Sequence, residues 1–158
     1  MQTRWIASFT QIAGLVLLGL AVAHFVGNQG EIEEQPADPV FLISTRYLFW
    51  ALAGAELFVA LVCLSDRSRM LANALLLWLV TNVAVYRVGL LWLGVSSVRA
   101  YFAAMAENFG LSLTGLSVLN GLMMSLLGSG SAVAVIQLWR ARAQPIDAGI
   151  AAASAENA

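Results

Sequence analysis

Residues 5–26 read WIASFTQIAGLVLLGLAVAHFV, with Ser8, Thr10, Gln11 and His24 as the only polar members. A helix crosses the hydrocarbon core of a bilayer with about 20 apolar residues, so this run is long enough to span. Three further runs of the same kind follow, at 42–64, 70–95 and 115–139. The reading is an all-α membrane protein: an antiparallel four-transmembrane-helix bundle occupying residues 1–143, with helices at about those four runs. Arg4, the apolar stretch and Ala21-Val22-Ala23 also fit a cleavable signal with a small-residue cut site. The run is long for a signal, and its apolar character continues through Phe25 and Val26, so a retained helix is expected. Cleavage would leave three spans in the same orientation.

Composition supports the same class. Of 158 residues, 60% are hydrophobic and 11% are charged, against roughly 25% charged in soluble domains. All eight basic residues are Arg, and the formal net charge is −1. That balance provides no basic footprint for nucleic acid. The single cysteine, Cys63, lies in an apolar run, can form no internal disulfide, and reads as a small buried residue. No P-loop, dinucleotide fingerprint, metal-ligand spacing or nucleophile elbow is present, so no catalytic residue and no metal is assigned.

The segments between the runs are unlike one another. Residues 27–41 hold Glu31, Glu33, Glu34 and Asp38 with Pro36 and Pro39, an aqueous loop by composition. Residues 65–69 form a short polar connection. In 96–114, Tyr101, Phe102, Met105 and Phe109 recur at helical spacing, which predicts a short amphipathic helix at the membrane surface in the third loop. After Arg140 and Arg142, the alanine-rich segment 144–158 is expected to be a disordered tail. Arg4, Arg67, Arg69, Arg140 and Arg142 fall on one side of the predicted layout, and Arg99 alone on the other. The positive-inside rule then places both termini and the short connection in the cytoplasm. The expected location is the bacterial cytoplasmic (inner) membrane.

Helices in lipid associate by close packing of small residues. Gly121, Ser125, Gly128 and Ser129 recur at spacings of three and four in the last run, and Ala51 and Ala55 do so in the second. These stripes predict a tight contact involving helices two and four.

The ionisable groups inside the runs are the chemical clues, because a charged side chain at a helix centre costs about 2.5 to 3.5 kcal/mol on an insertion scale. Glu56, an intramembrane carboxylate, lies about 12 Å from the cytoplasmic end of its run at 1.5 Å per residue, and Arg87 about 25 Å from its own. The gap of roughly 13 Å argues against a direct bridge. His24, Arg46, Arg87 and Asn120 all fall at about 25 to 29 Å, so they group as a polar cluster in the outer half. The cluster reads first as an anchor, with Arg46 and Arg87 reaching to the acidic loop. As a ligand site it would take the polar head of a quinone or lipid, with His24 as hydrogen-bond partner or proton carrier. By depth, Glu56 has Gln11 and Asn82 as expected neighbours.

Tyr86-Arg87-Val88-Gly89-Leu90-Leu91-Trp92-Leu93-Gly94, Ala55-Glu56-Leu57 and Asp38-Pro39-Val40-Phe41 together resemble the MauE/DoxX group of four-helix membrane proteins. The resemblance covers 38–139 and its motifs are short. It implies a redox-associated setting: MauE-like proteins resemble maturation factors for methylamine dehydrogenase, and DoxX-like proteins the membrane subunit of a thiosulfate:quinone oxidoreductase. Relatives often carry a C-x-C pair where this chain has Arg99 and Tyr101. Thiol exchange needs a thiolate, and one cysteine makes no dithiol relay. The expected function is a noncatalytic accessory or scaffolding subunit, partnered by the lipid bilayer and other membrane subunits. A quinone-linked subunit of the DoxX type is the alternative, with quinone as the only cofactor class in view. A small carrier or channel using Glu56 and Asn82 is a further reading, for which the chain offers no internal repeat.

Overall fold

A computed structural model describes residues 2–27, 38–65, 68–94 and 112–156. Among these the structure is helical with no strand: α1 Gln2–Gly27, α2 Thr45–Leu64, α3 Arg69–Trp92 and α4 Leu113–Glu156. The segment expected to form a surface helix, 96–114, lies almost entirely outside the described residues, as do most of the acidic loop and Arg67.

Each apolar run has become a helix. The stretches Arg4–Phe25, Arg46–Leu64, Arg69–Trp92 and Val118–Arg142 are each long and apolar enough to cross a membrane. Only 22 to 33% of their most apolar windows is buried inside the protein. Most of each helix therefore presents Leu, Val, Ile, Phe and Trp outward, including Leu15, Phe58, Trp78 and Leu126. Water would not tolerate so much exposed apolar surface, whereas lipid is its natural solvent. The chain is a multi-pass membrane protein.

Helix boundaries follow local chemistry. Ser68 caps α3, its side chain accepting from the Leu71 N–H. The entry to α2 comes three residues later than the apolar run begins. Asp38 Oδ1 accepts from the N–H groups of Val40 and Phe41, each at 2.9 Å. This is the local hydrogen bonding by which Asp favours turns. Leu42 then takes a left-handed backbone, φ 56°, stabilised by Leu42 N–H donating to Asp38 O and Asp38 N–H to Ile43 O. At the other end of the chain, α4 remains helical through Pro145 to Glu156, past the boundary at 143 drawn from composition. Ala148, Ala151, Ala152, Ala153 and Ala155 are the best helix formers available.

The core is drawn from all four helices. Ala13 and Leu17 of α1, Val59, Ala60 and Cys63 of α2, Ala72, Leu76 and Leu79 of α3, and Leu127 of α4 form one buried cluster. The closest pairings are α1 with α2 and α3 with α4; α2 also touches α3, while α2 and α4 share no contact among the described residues. The small-residue stripes thus serve other neighbours than each other. Gly128 packs on α3, where a Cβ would lie 3.1 Å from Val80 Cγ1, while Gly121 faces open space. Ser125 and Ser129 are exposed, and their hydroxyls donate to backbone carbonyls of their own helix. Ala51 is exposed and Ala55 half-buried. Small residues permit close approach but do not name the partner, so spacing alone could not choose between α2 and α3.

Candidate functional site: a buried histidine–glutamate pair

His24 lies one turn before the end of α1, and Glu56 sits in the middle of α2. Their side chains meet, with His24 Nδ1 2.8 Å from Glu56 Oε2. Both are buried, at 7% and 1% side-chain exposure. Phe49, about two turns before Glu56 on α2, stacks on the imidazole with ring centroids 6.2 Å apart. Whether the proton sits on nitrogen or oxygen, the contact is a buried hydrogen bond. An ionisable group in such a setting is tolerated only when paired.

This contact corrects the grouping drawn from depth. The arithmetic placed His24 with Arg46, Arg87 and Asn120, and roughly 13 to 17 Å deeper along its run than Glu56. It assumed that the helices begin level. They do not. Gly14 faces Cys63 and Leu64, at the end of α2, with a Cβ at Gly14 only 3.0 Å from Cys63 Cβ. Residues 2–13 of α1 therefore run on past that end of α2. There Asn73 of α3 donates to Thr10 Oγ1 at 2.9 Å, and the Phe9 ring sits against Gly130 of α4. The offset carries His24 along α2 to Glu56.

The other expected members are dispersed. Arg46 is exposed, its guanidinium 5.8 Å from the Trp50 ring centroid. Arg87 is half-buried on α3. Asn120 is buried on α4, and its Oδ1 has no hydrogen-bond partner among the described residues. Gln11 and Asn82, the neighbours expected for Glu56, are both exposed, and Asn82 Nδ2 donates to Trp78 O in its own helix. Among the described residues His24 with Glu56 is the one ion pair, and no group of three or more metal-ligand residues occurs.

A second polar feature lies where α2 begins. Asp38 is 3% exposed. While Oδ1 holds its own turn, Oδ2 accepts a hydrogen bond from the Tyr86 hydroxyl of α3. The Phe41 ring stacks on Tyr86 at 5.6 Å, and Val40 lies within 4 Å of where a Gly89 Cβ would be. Two of the three quoted motifs, Asp38 to Phe41 and Tyr86 to Gly94, are thus in contact. Between α2 and α3 a largely apolar groove of about 280 Å³ opens, lined by Phe41, Leu48, Leu52, Trp78, Asn82 and Tyr86 among others. Sequence reading placed Asp38 among loop carboxylates and did not pair it with Tyr86; only their shared presence in the motifs was available as a signal.

No protein-family model, curated protein or solved structure matches the chain. The residues themselves define what is in hand: a multi-pass membrane protein whose first two helices are joined by a buried histidine–glutamate hydrogen bond.

Proposed function

We propose that this chain is a noncatalytic accessory or scaffolding subunit of a complex in the bacterial inner membrane, in a redox-associated setting of the kind the MauE/DoxX resemblance implies. The observation that carries the reading is the outer face of α4. Ser125 and Ser129 lie exposed among Leu122 and Leu126, with both hydroxyls already bonded to their own backbone. Among the described residues no other helix covers this face. A ridge of small residues with satisfied hydroxyls lets another membrane helix approach closely, which is how helices associate in lipid. Two interior polar contacts, by contrast, are made within the chain: His24 with Glu56 and Asn73 with Thr10.

The layout that goes with this reading is an antiparallel bundle with both termini in the cytoplasm. It is supported by the arginine distribution and by the order of contacts, in which Gly14 meets Cys63 while His24, further along α1, meets the earlier Glu56. The test is purification in mild detergent from native membranes. Stoichiometric membrane partners should co-migrate with the chain. They should be lost on replacing Ser125 and Ser129 by Phe, with the thermal midpoint of the isolated chain little changed. A clean monomer or homodimer of the unaltered chain would overturn the reading.

The groove between α2 and α3 favours a second reading, a quinone-linked subunit. Its Trp78 and Tyr86 rings and apolar walls suit a flat ring carrying a hydrocarbon tail. Trp78→Ala should then abolish quinone binding by the purified chain, and unchanged binding in that variant and in His24→Ala and Arg87→Ala would remove this alternative.

A further inference from the structure

We propose that His24 and Glu56 form a one-proton site inside the membrane domain, and that the charge of this site sets how tightly α1 is held to α2. The inference rests on the contact itself and is independent of any partner. Counting protons on the pair gives three states. With none, Glu56 is a carboxylate accepting from a neutral imidazole, and the pair carries −1. With one, either the Glu56 acid donates from Oε2 to Nδ1, or imidazolium Nδ1–H donates to the carboxylate; both forms are neutral overall. With two, imidazolium donates to the carbonyl oxygen of the neutral acid, and the pair carries +1. Only the middle state places no net charge in a region that cannot solvate one. Moving the proton along the 2.8 Å contact changes no net charge.

The seam that depends on the state is the most extensive helix pairing among the described residues. Ala13, Leu17 and Ala21 of α1 and Ala53, Val59, Ala60 and Cys63 of α2 are all buried along it. The other ionisable side chains on the packed helices are few. α1 adds Arg4 at its far end. α2 adds Arg46, beside Trp50, exposed Tyr47, and Cys63. α3 adds Arg69 at its start, Tyr86, which donates to Asp38, and half-buried Arg87. Within its described side chains α4 adds exposed Arg140 and Arg142, with Asn120 as a buried neutral group.

The chain contains one histidine, so ¹⁵N-histidine labelling of the full-length protein in detergent reports His24 alone. The expected spectrum is one hydrogen-bonded form held across the neutral range, and Glu56→Gln should change both the form and the pH at which it titrates. An imidazole that titrates as in a free peptide would overturn the proposal without any variant. Thermal midpoints against pH supply the second measurement. The unaltered chain should lose stability at both extremes. Glu56→Gln should lose the alkaline fall and keep the acid one, whereas His24→Gln should lose the acid fall and keep the alkaline one. Two folded variants that each retain both falls would contradict it.

Discussion

Gly14 shows how much a single position can fix. A Cβ there would lie 3.0 Å from Cys63 Cβ and 3.1 Å from Leu64 Cγ, so any side chain at this position makes its neighbours give by a few tenths of an ångström, and a branched one by more. Gly14→Val is expected to destabilise the protein by about 1–3 kcal/mol, the usual range for overpacking. At Gly19 a Cβ meets nothing within 4 Å, and Gly19→Val should change stability by less than about 1 kcal/mol. Equilibrium unfolding in mixed micelles measures both. His24 and Glu56 were each legible in the sequence as costly intramembrane groups. Their meeting was not, because it depends on the offset of α1 that Gly14 allows, and the length of an apolar run contains no information about offset. The same holds for Thr10 and Asn73, two neutral polar residues separated by 63 positions along the chain.

At the scale of elements, the start of α2 is held by Asp38. Its carboxyl group ties its own turn through Oδ1 and α3 through Tyr86. Hydrogen bonds to charged groups contribute about 1.5–3 kcal/mol each, so Tyr86→Phe is expected to cost about that much. The amides of Val40, Phe41 and the first turn of α2 should exchange faster in the same variant, as measured by hydrogen exchange with mass detection. Unchanged exchange there would mean that the turn holds itself. The four apolar stretches were legible to within four residues at each end, because hydropathy over about 20 positions is a strong signal. Which helix packs on which was not, as Gly128 illustrates by serving α3 rather than α2.

At the scale of the whole molecule, the described residues form four helices long and apolar enough to cross a membrane, with polar ties between them and the small-residue face of α4 exposed. With both termini cytoplasmic, as proposed, a reporter inserted in 28–37 and one fused after 158 should fall on opposite sides of the membrane. Reporters on the same side would refute the layout. The internal arrangement has a more direct test, since the α1–α2 register is what places His24 at Glu56. Gly14→Cys sets a second thiol beside the chain's own Cys63, with Cβ atoms 3.0 Å apart, which a shift of about half an ångström brings to the 3.5–4.5 Å separation of a disulfide. Mild oxidation in native membranes, followed by cleavage at a protease site introduced in 28–37, reads the result. The account predicts that α1 stays covalently joined to the rest of the chain in Gly14→Cys and is released in Gly19→Cys. Release of α1 from Gly14→Cys, or a cross-link at Gly19→Cys in its place, would contradict it.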